Sequence, residues 1–388
     1  MKATWIHKRF SEVCTLKKGK KPKLHAEFQQ GFAPYLIARY LRGAATSEFV
    51  DIRDKNAVLI KKDQIFVICD GSNSGEIFTG FEGVLSSTMA LIEHTEAIDS
   101  RFLRFFLDSL FEQFNEGKTG SAIPHLDLAA LRVESLPLPP LSEQHRIVAI
   151  LDTAFDQIST ARANCEANLL NARAIFESHL QAVFTQRGDG WVEKRLGDIF
   201  NIGSSKRILE TEWTTAGVPF YGGREIVKLA KSGTVLSNSY ISEEKYSDYA
   251  SKYDMPRQDD ILITARGTIG VGYVVQEGDK FYYKDGNIIS MRGKTPTNPY
   301  FMLYAFRSNV MADQLGILAG TTVKHLPIEK AKELILRIPK FAVQNTVVEQ
   351  IREVEAETQR LETLYQRKLQ ALDDLKKSLL HQAFSGLL

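Results

Sequence analysis

From Ile147 onward, apolar and small residues recur in steps of four and three: Leu151, Ala154, Ile158, Ala161, Cys165, Asn168, Ala172 and Ile175. The same stepping returns at Val347, Ile351, Val354, Thr358, Leu361, Tyr365, Lys368, Leu372 and Leu375, each 200 residues after its counterpart. A 3.5-residue repeat held over four heptads predicts two coiled-coil helices. The pairing seam falls on Ile147, Leu151, Ile158, Ile175, Val347, Ile351, Val354, Leu361, Leu372 and Leu375, with polar Asn168 and Lys368 weakening the seam and fixing its register. The first helix follows the extended segment Pro137-Leu138-Pro139-Pro140 with Ser142 as its N-cap, and it ends before the turn sequence Arg187-Gly188-Asp189-Gly190. From Ser142 to Thr185 is 44 residues, or roughly 66 Å of helix. Padding of the globular parts by two amphipathic helices is the blander alternative, which this length opposes.

The rest of the chain is also written twice. Trp5 and Lys8 to Val13 recur in type and order as Trp191 and Lys194 to Ile199, an offset of 186. The run Gly120, Ser121, Ala122, Ile123, His125, Leu126, Leu128 to Pro139 recurs as Gly320, Thr321, Thr322, Val323, His325, Leu326, Ile328 to Pro339, an offset of 200. The second copy is therefore 14 residues longer somewhere in its interior. Each middle is strand-like, with Ile65 to Ile68 before a Gly71–Gly75 turn and Ile261 to Ile263 before a Gly267–Gly272 turn. Helical patterns follow at Phe102 to Phe114 and Tyr300 to Leu315. The expected class is α+β: two mixed globular domains at 1–141 and 188–341 alternate with long helices at 142–187 and 342–388. Strand order is not legible.

With 388 residues, 44% hydrophobic and 25% charged, the chain is long enough for two or three cored domains. A net charge of +2 makes affinity for an acidic partner a matter of where the basic residues sit. Cys14, Cys69 and Cys165 are odd in number and show no zinc or disulfide spacing, so a reducing cytoplasm is expected. The first residues lack the apolar segment of a signal peptide, and no run of about 18 apolar residues is present to span a membrane.

Catalytic motifs appear only as fragments. Asn298-Pro299-Tyr300 echoes a methyltransferase base-gripping motif but lacks its second proline and any preceding cofactor loop, and it reads as an N-cap with proline at the first helical position. Gly117-Lys118-Thr119 lacks the glycine a phosphate loop needs, because Glu112 stands there. Glu116-Gly117-Lys118 and Glu243-Glu244-Lys245 follow no strand bearing a metal-binding aspartate. No catalytic residue, cofactor site or metal site is expected in the chain.

Basic clusters recur at matched places: Lys17, Lys18, Lys20, Lys21 and Lys23 in the first copy, Lys206 and Arg207 in the second. They are either solvated loops or phosphate contacts. In the central turns Asp70-Gly71-Ser72-Asn73 corresponds to Arg266-Gly267-Thr268; Ser72, Asn73, Arg266 and Thr268 are candidate base readers, or turn builders only. His125 and His325 hold matched positions, which fits a structural hydrogen bond in each copy or a phosphate contact. Lys118 and Lys324 complete the DNA-binding candidates.

Trp5 to Val13 with its echo from Trp191, GSAIPHLDLAAL at Gly120 to Leu131, and PLPPLSEQHRIVAILD at Pro137 to Asp152 resemble the specificity subunit of type I restriction-modification systems. The echo IPKFAVQNTVVEQI at Ile338 to Ile351 is more diverged but retains Pro339 and Gln344. The resemblance covers the whole chain. It implies two target-recognition domains related by an approximate two-fold axis, each reading half of a split DNA site, held apart by an antiparallel helix pair. It further implies a non-catalytic adaptor for two DNA methyltransferase subunits and for restriction/translocase subunits, with S-adenosylmethionine, ATP and Mg held by those partners. A methylation-only or type II-like system, and a coiled-coil scaffold that does not bind DNA, are the alternatives at this point. The exposed helix faces imply poor solubility without the methyltransferase.

Overall fold

The computed structural model describes residues 5–71, 73–116, 125–185, 190–316 and 325–388. Ser72, Lys118 and Lys324, three of the DNA-binding candidates, lie outside them. The chain divides into two compact units, one of residues 1–166 with 367–388 and the other of residues 167–366. Each long helix therefore contributes to both units, and the architecture is α+β throughout.

In the first unit a short ribbon pairs Ile6–Arg9 antiparallel with Ser135–Leu138. A four-stranded antiparallel sheet has the order Cys14–Lys18, Met89–His94, Ile65–Ile68, Ile77–Phe78. Alternation along its inner strand explains its unbroken hydrophobicity. Ile65 and Val67 face a core with Phe102, Leu103 and Phe106, whereas Phe66 and Ile68 face another with Leu36, Ile60 and Leu85. A strand with both faces buried cannot carry polar residues at every second place. The second core rests on a mixed sheet in which Phe32–Leu36 runs parallel to Gly83–Leu85.

The second unit repeats this plan. Val192–Arg195 pairs with Ile335–Ile338. The sheet Phe200–Gly203, Ile288–Gly293, Ile261–Thr264, Gly272–Val274 has Ile261 and Ile263 facing one core and Leu262 the other. Val218–Tyr221 runs parallel to Tyr282–Tyr283. Matched elements locate the 14 extra residues. The offset is 186 at Cys14/Phe200, 196 at Ile65/Ile261, 199 at the helix caps Asp99/Asn298 and 200 at Gln144/Gln344. Ten enter before the central strand, where a one-turn helix, Ala38–Leu41, becomes the ten-residue helix Gly223–Ser232, and a helix at Glu243–Lys252 stands where the first copy has the strand Leu59–Ile60.

The long helices span Leu141–Phe184 and Phe341–Phe384, 44 residues each. Ser142 thus lies inside the first turn and is not the N-cap. Each helix start is clasped by a buried glutamine. Gln144 Oε1 accepts from Asp99 N at 2.8 Å while its Nε2 donates to Ala97 O and Pro139 O at 3.0 and 2.9 Å; Gln344 repeats the clasp with Asn298 N and Pro339 O, both at 2.9 Å. Asn298 caps its helix by accepting from Tyr300 N and Phe301 N, with Pro299 next.

The seam departs from the expected heptads halfway along. It follows Ile158, Ala161 and Cys165, then steps by four to Leu169, Ala172 and Phe176; in the C-terminal helix it follows Thr358, Leu361 and Tyr365, then Leu369 and Leu372. Ile175 and Leu375 are 60% and 46% exposed and lie outside the seam, as do exposed Asn168 and Lys368. A straight helix drifts by about 20° per heptad against a 3.5 repeat, and one extra residue restores the stripe. At the ends the helices join the globular cores. Ile147 and Leu151 pack in the first core with Leu380 and Ala383 of the C-terminal helix, and Val347 and Ile351 in the second unit's core with Leu180 and Val183 of the central helix. Val354 packs against the second unit's core, and Ile158, Leu361 and Leu372 are half-buried.

Within each unit the two helix segments run antiparallel. Arg162 pairs with Asp373 in the first unit, and Arg173 pairs with Glu362 at 2.9 Å in the second. The domain-to-helix contacts differ in chemistry between copies. Phe105 meets Phe155 edge-on in the first, whereas the counterpart Tyr304 donates to Glu355 at 2.6 Å in the second, where Arg352 also stacks on Tyr300.

Candidate nucleic-acid interface

In the first copy the basic loop is drawn in at Gly19, whose N–H donates to Met89 O at 2.9 Å. A Cβ there would sit 2.0 Å from Ser86 O, so only glycine permits the approach. Thr88 O in turn accepts from Cys69 N and Asp70 N, and Cys69 O accepts from Leu126 N. These main-chain bonds bring three segments far apart in sequence to one place. There Asp70 sits between Lys18 Nζ at 3.3 Å and His125 Nδ1 at 2.9 Å. Lys17 is exposed on the strand Cys14–Lys18 and Lys20 and Lys21 on the loop after it, and the Lys21 carbonyl is held by Asn56 Nδ2. Asn73 is exposed in the central turn, which Gly71 and Gly75 close with positive φ.

The second copy builds the same junction with other side chains. Ser204 Oγ donates to Ile288 O, and Lys206 exchanges two hydrogen bonds with the Tyr282 hydroxyl, at 2.8 and 3.1 Å. Burial pushes that phenol up to about 12, so it stays a neutral donor and acceptor. Ala265 N donates to Asn287 O and Leu326 N to Ala265 O, repeating the hook that carries the histidine. Arg266 now stands where Asp70 stood, with its Nε 3.4 Å from His325 Nδ1; Thr268 is exposed, and its carbonyl accepts from Thr264 Oγ1. Arg207 is paired with Asp285 at 3.0 Å.

Two cations at this junction were not among the sequence candidates. Arg224 is exposed in the first turn of Gly223–Ser232, beside the central turn, since a Cβ on Gly223 would lie 3.9 Å from Arg266 O. Lys284 Nζ lies over the Trp213 ring at 5.1 Å, and both line a cleft of about 250 Å³ with Arg224, Asn238 and Asn287. The first copy's counterpart of Arg224 is Arg39, since each lies three residues after the last residue paired in the parallel strands. Their offset of 185 is within one residue of that at Cys14/Phe200, so the ten extra residues enter after Arg224.

What the junction offers is a set of cations and amides on two frames of one design: a carboxylate flanked by lysine and histidine in one, an arginine beside the histidine and a cleft lined by Arg224 and Lys284 in the other. Carboxylates accept from exposed cytosine or adenine amino groups, and arginines donate to guanine or phosphate. Among the described residues no group of three or more His, Cys, Asp or Glu is placed to hold a metal, and no helix is long and apolar enough to cross a membrane.

The family profile of the type I restriction modification DNA specificity domain matches residues 2–167 and again 188–370. The type I restriction enzyme MjaVIII specificity subunit of Methanocaldococcus jannaschii is 26% identical over 98% of this chain and 92% of its own length. The EcoBI specificity subunit of Escherichia coli is 22% identical over 91% of this chain and 79% of its own. Among solved structures, a chain from a study of assembly and conformational transition of the type I R-M system superposes with a TM-score of 0.76, at 17% identity, over 99% of this chain and 98% of that one. The HsdS subunit of Thermoanaerobacter tengcongensis gives 0.62 at 16% identity, over 100% and 98%. The duplicated frame, the paired long helices and the double match of the profile lead to one conclusion: this chain belongs to the type I restriction-modification DNA specificity family.

Proposed function

We propose that residues 1–141 and 188–341 are two target-recognition domains, each reading one half of a split DNA site through its junction. The contacts are Lys17, Lys18, Lys20, Lys21, Ser72, Asn73, Lys118 and His125 in the first, and Lys206, Arg207, Arg266, Thr268, Lys324 and His325 in the second, with Arg224 and Lys284 added. The helices set the spacing between half-sites. The observation that carries this reading is the exchange of Asp70 for Arg266 on the same main-chain frame. Retained geometry with reversed charge fits two domains that read different bases, whereas a purely structural turn has no use for the reversal.

The chain itself performs no chemistry in this proposal. Two DNA methyltransferase subunits, positioned by it, hold S-adenosylmethionine, and restriction/translocase subunits use ATP and Mg, all in the cytoplasm. Support for two copies of one partner comes from exposed apolar residues at matched places. Ile6 and Val192 are 64% and 55% exposed, Leu141 and Phe341 43% and 45%, and Ile175 and Leu375 are the pair that left the seam. A partner covering these would keep the chain soluble.

The test is base preference in the assembled methyltransferase complex. Arg266→Ala should cost about 1–3 kcal/mol at one position of one half-site and leave the other half-site unchanged. Equal losses at both half-sites, or none, would remove Arg266 as a reader.

A further inference from the structure

The helix pair carries a charge code. Arg162 of the central helix pairs with Asp373, and Arg173 with Glu362 of the C-terminal helix. The indices sum to 535 in both cases, so one antiparallel register serves both units. Because the helices match at an offset of 200, Glu362 is the counterpart of Arg162 and Asp373 that of Arg173. Both cations are on one helix and both anions on the other.

That segregation has a consequence for any second copy. Pairing two central helices in the equivalent register would put Arg162 against Arg173 twice, and pairing two C-terminal helices would put Glu362 against Asp373 twice. At three seam positions size follows the same division. The seam residues Ala161, Cys165 and Ala172 are small, and their counterparts Leu361, Tyr365 and Leu372 are large. Two central helices together would leave gaps, and two C-terminal helices would be overpacked.

We propose that the central helix is built to accept a C-terminal helix and to reject a second copy of itself, so that two chains do not exchange halves by pairing like helices. The selection is needed because the repeat supplies every chain with two interchangeable frames, and exchange would join two identical domains and change the DNA site read. Exposed ion pairs add little to stability, but here the sign of each contact reverses between the right and the wrong pairing, which is how coiled coils choose partners.

The test uses full-length chains carrying two different tags, co-expressed with the methyltransferase subunits, and measures how much of one tag is captured with the other. The variant R162E/E362R leaves net charge unchanged, makes both native pairs repulsive and makes both self-pairings attractive. Its cross-capture should exceed that of the native chain by at least about tenfold. Adding R173E/D373R restores opposite charges across the native pair, and capture should return to the native level. A milder variant, Arg162→Gln with Arg173→Gln, removes only the repulsion and should give intermediate capture; it decides the matter alone if the exchanged chain aggregates. Equal cross-capture by native, neutralised and exchanged chains would overturn the proposal. The readout needs no DNA, so its failure is distinct from failure of the half-site reading.

Discussion

Replacing Gln144 with alanine removes the clasp between the first globular domain and its helix. Gln144 is completely buried and makes three hydrogen bonds to main chain, at Asp99 N, Ala97 O and Pro139 O. At about 1 kcal/mol each the loss is about 3 kcal/mol, and more if the stranded groups stay dry. Asp99 is also the cap of the helix Ser100–Ser109, accepting from Arg101 N and Phe102 N, so the loosening should spread to that helix. Hydrogen exchange resolves the effect by region. Amides of residues 97–107 should exchange on the order of a hundredfold faster where exchange follows opening of the unit. Gln344→Ala is the internal comparison: it breaks two such bonds and should loosen the helix after Asn298 by about 2 kcal/mol. Exchange within twofold of native in Gln144→Ala, or acceleration shared equally by both units, would refute the clasp.

Burial pushes the Asp108 carboxyl up to about 6, against the weaker pull of Arg104 and Lys376. A carboxyl that holds its proton more tightly folded than unfolded loses stability as pH rises from about 4 to 6. Asp108→Asn should therefore raise the melting temperature at pH 7, with the gain vanishing near pH 4; a gain independent of pH would contradict the assignment. Burial likewise pushes the Cys14 and Cys69 thiols up to about 12 and about 11, while Cys165 is half-exposed. Brief alkylation of the native chain at pH 8 should label Cys165 alone, as read by peptide mass spectrometry. Phe102→Ala opens a cavity beside Phe384 in the first core and should cost about 3–5 kcal/mol, seen as a lowered denaturation midpoint of the first unit only. Arg224→Ala and Lys284→Ala, if these cations touch phosphate, should each reduce the slope of log binding constant against log salt by about 1.

Duplication made much of this architecture legible. Residue types repeated at fixed offsets exposed the frame and both long helices, because burial constrains the same positions in each copy. The seam was read one residue off beyond Cys165 and Tyr365. Asn168 and Ile175 satisfy a strict heptad, but the helix turns at about 3.6 residues, and the apolar Leu169 and Phe176 already signalled the slip. Strand order was hidden because partners such as Cys14 and His94 are far apart in the chain, with no local pattern to link them. At the junction, the matched histidines and central turns were visible as counterparts. Arg224 and Lys284 were not, since each is a cation outside any basic cluster, and the parallel strand pairing is what aligns Arg224 with Arg39.

That two domains read two half-sites is tested most directly by methylome sequencing. Cells expressing the chain with a methyltransferase subunit that assembles with it would be compared with cells lacking the chain. The expected result is a split motif with modified adenines in both halves, in which exchanging residues 1–136 for those of another family member alters one half only. New modification at an uninterrupted motif, or none from an assembled complex, would contradict the account.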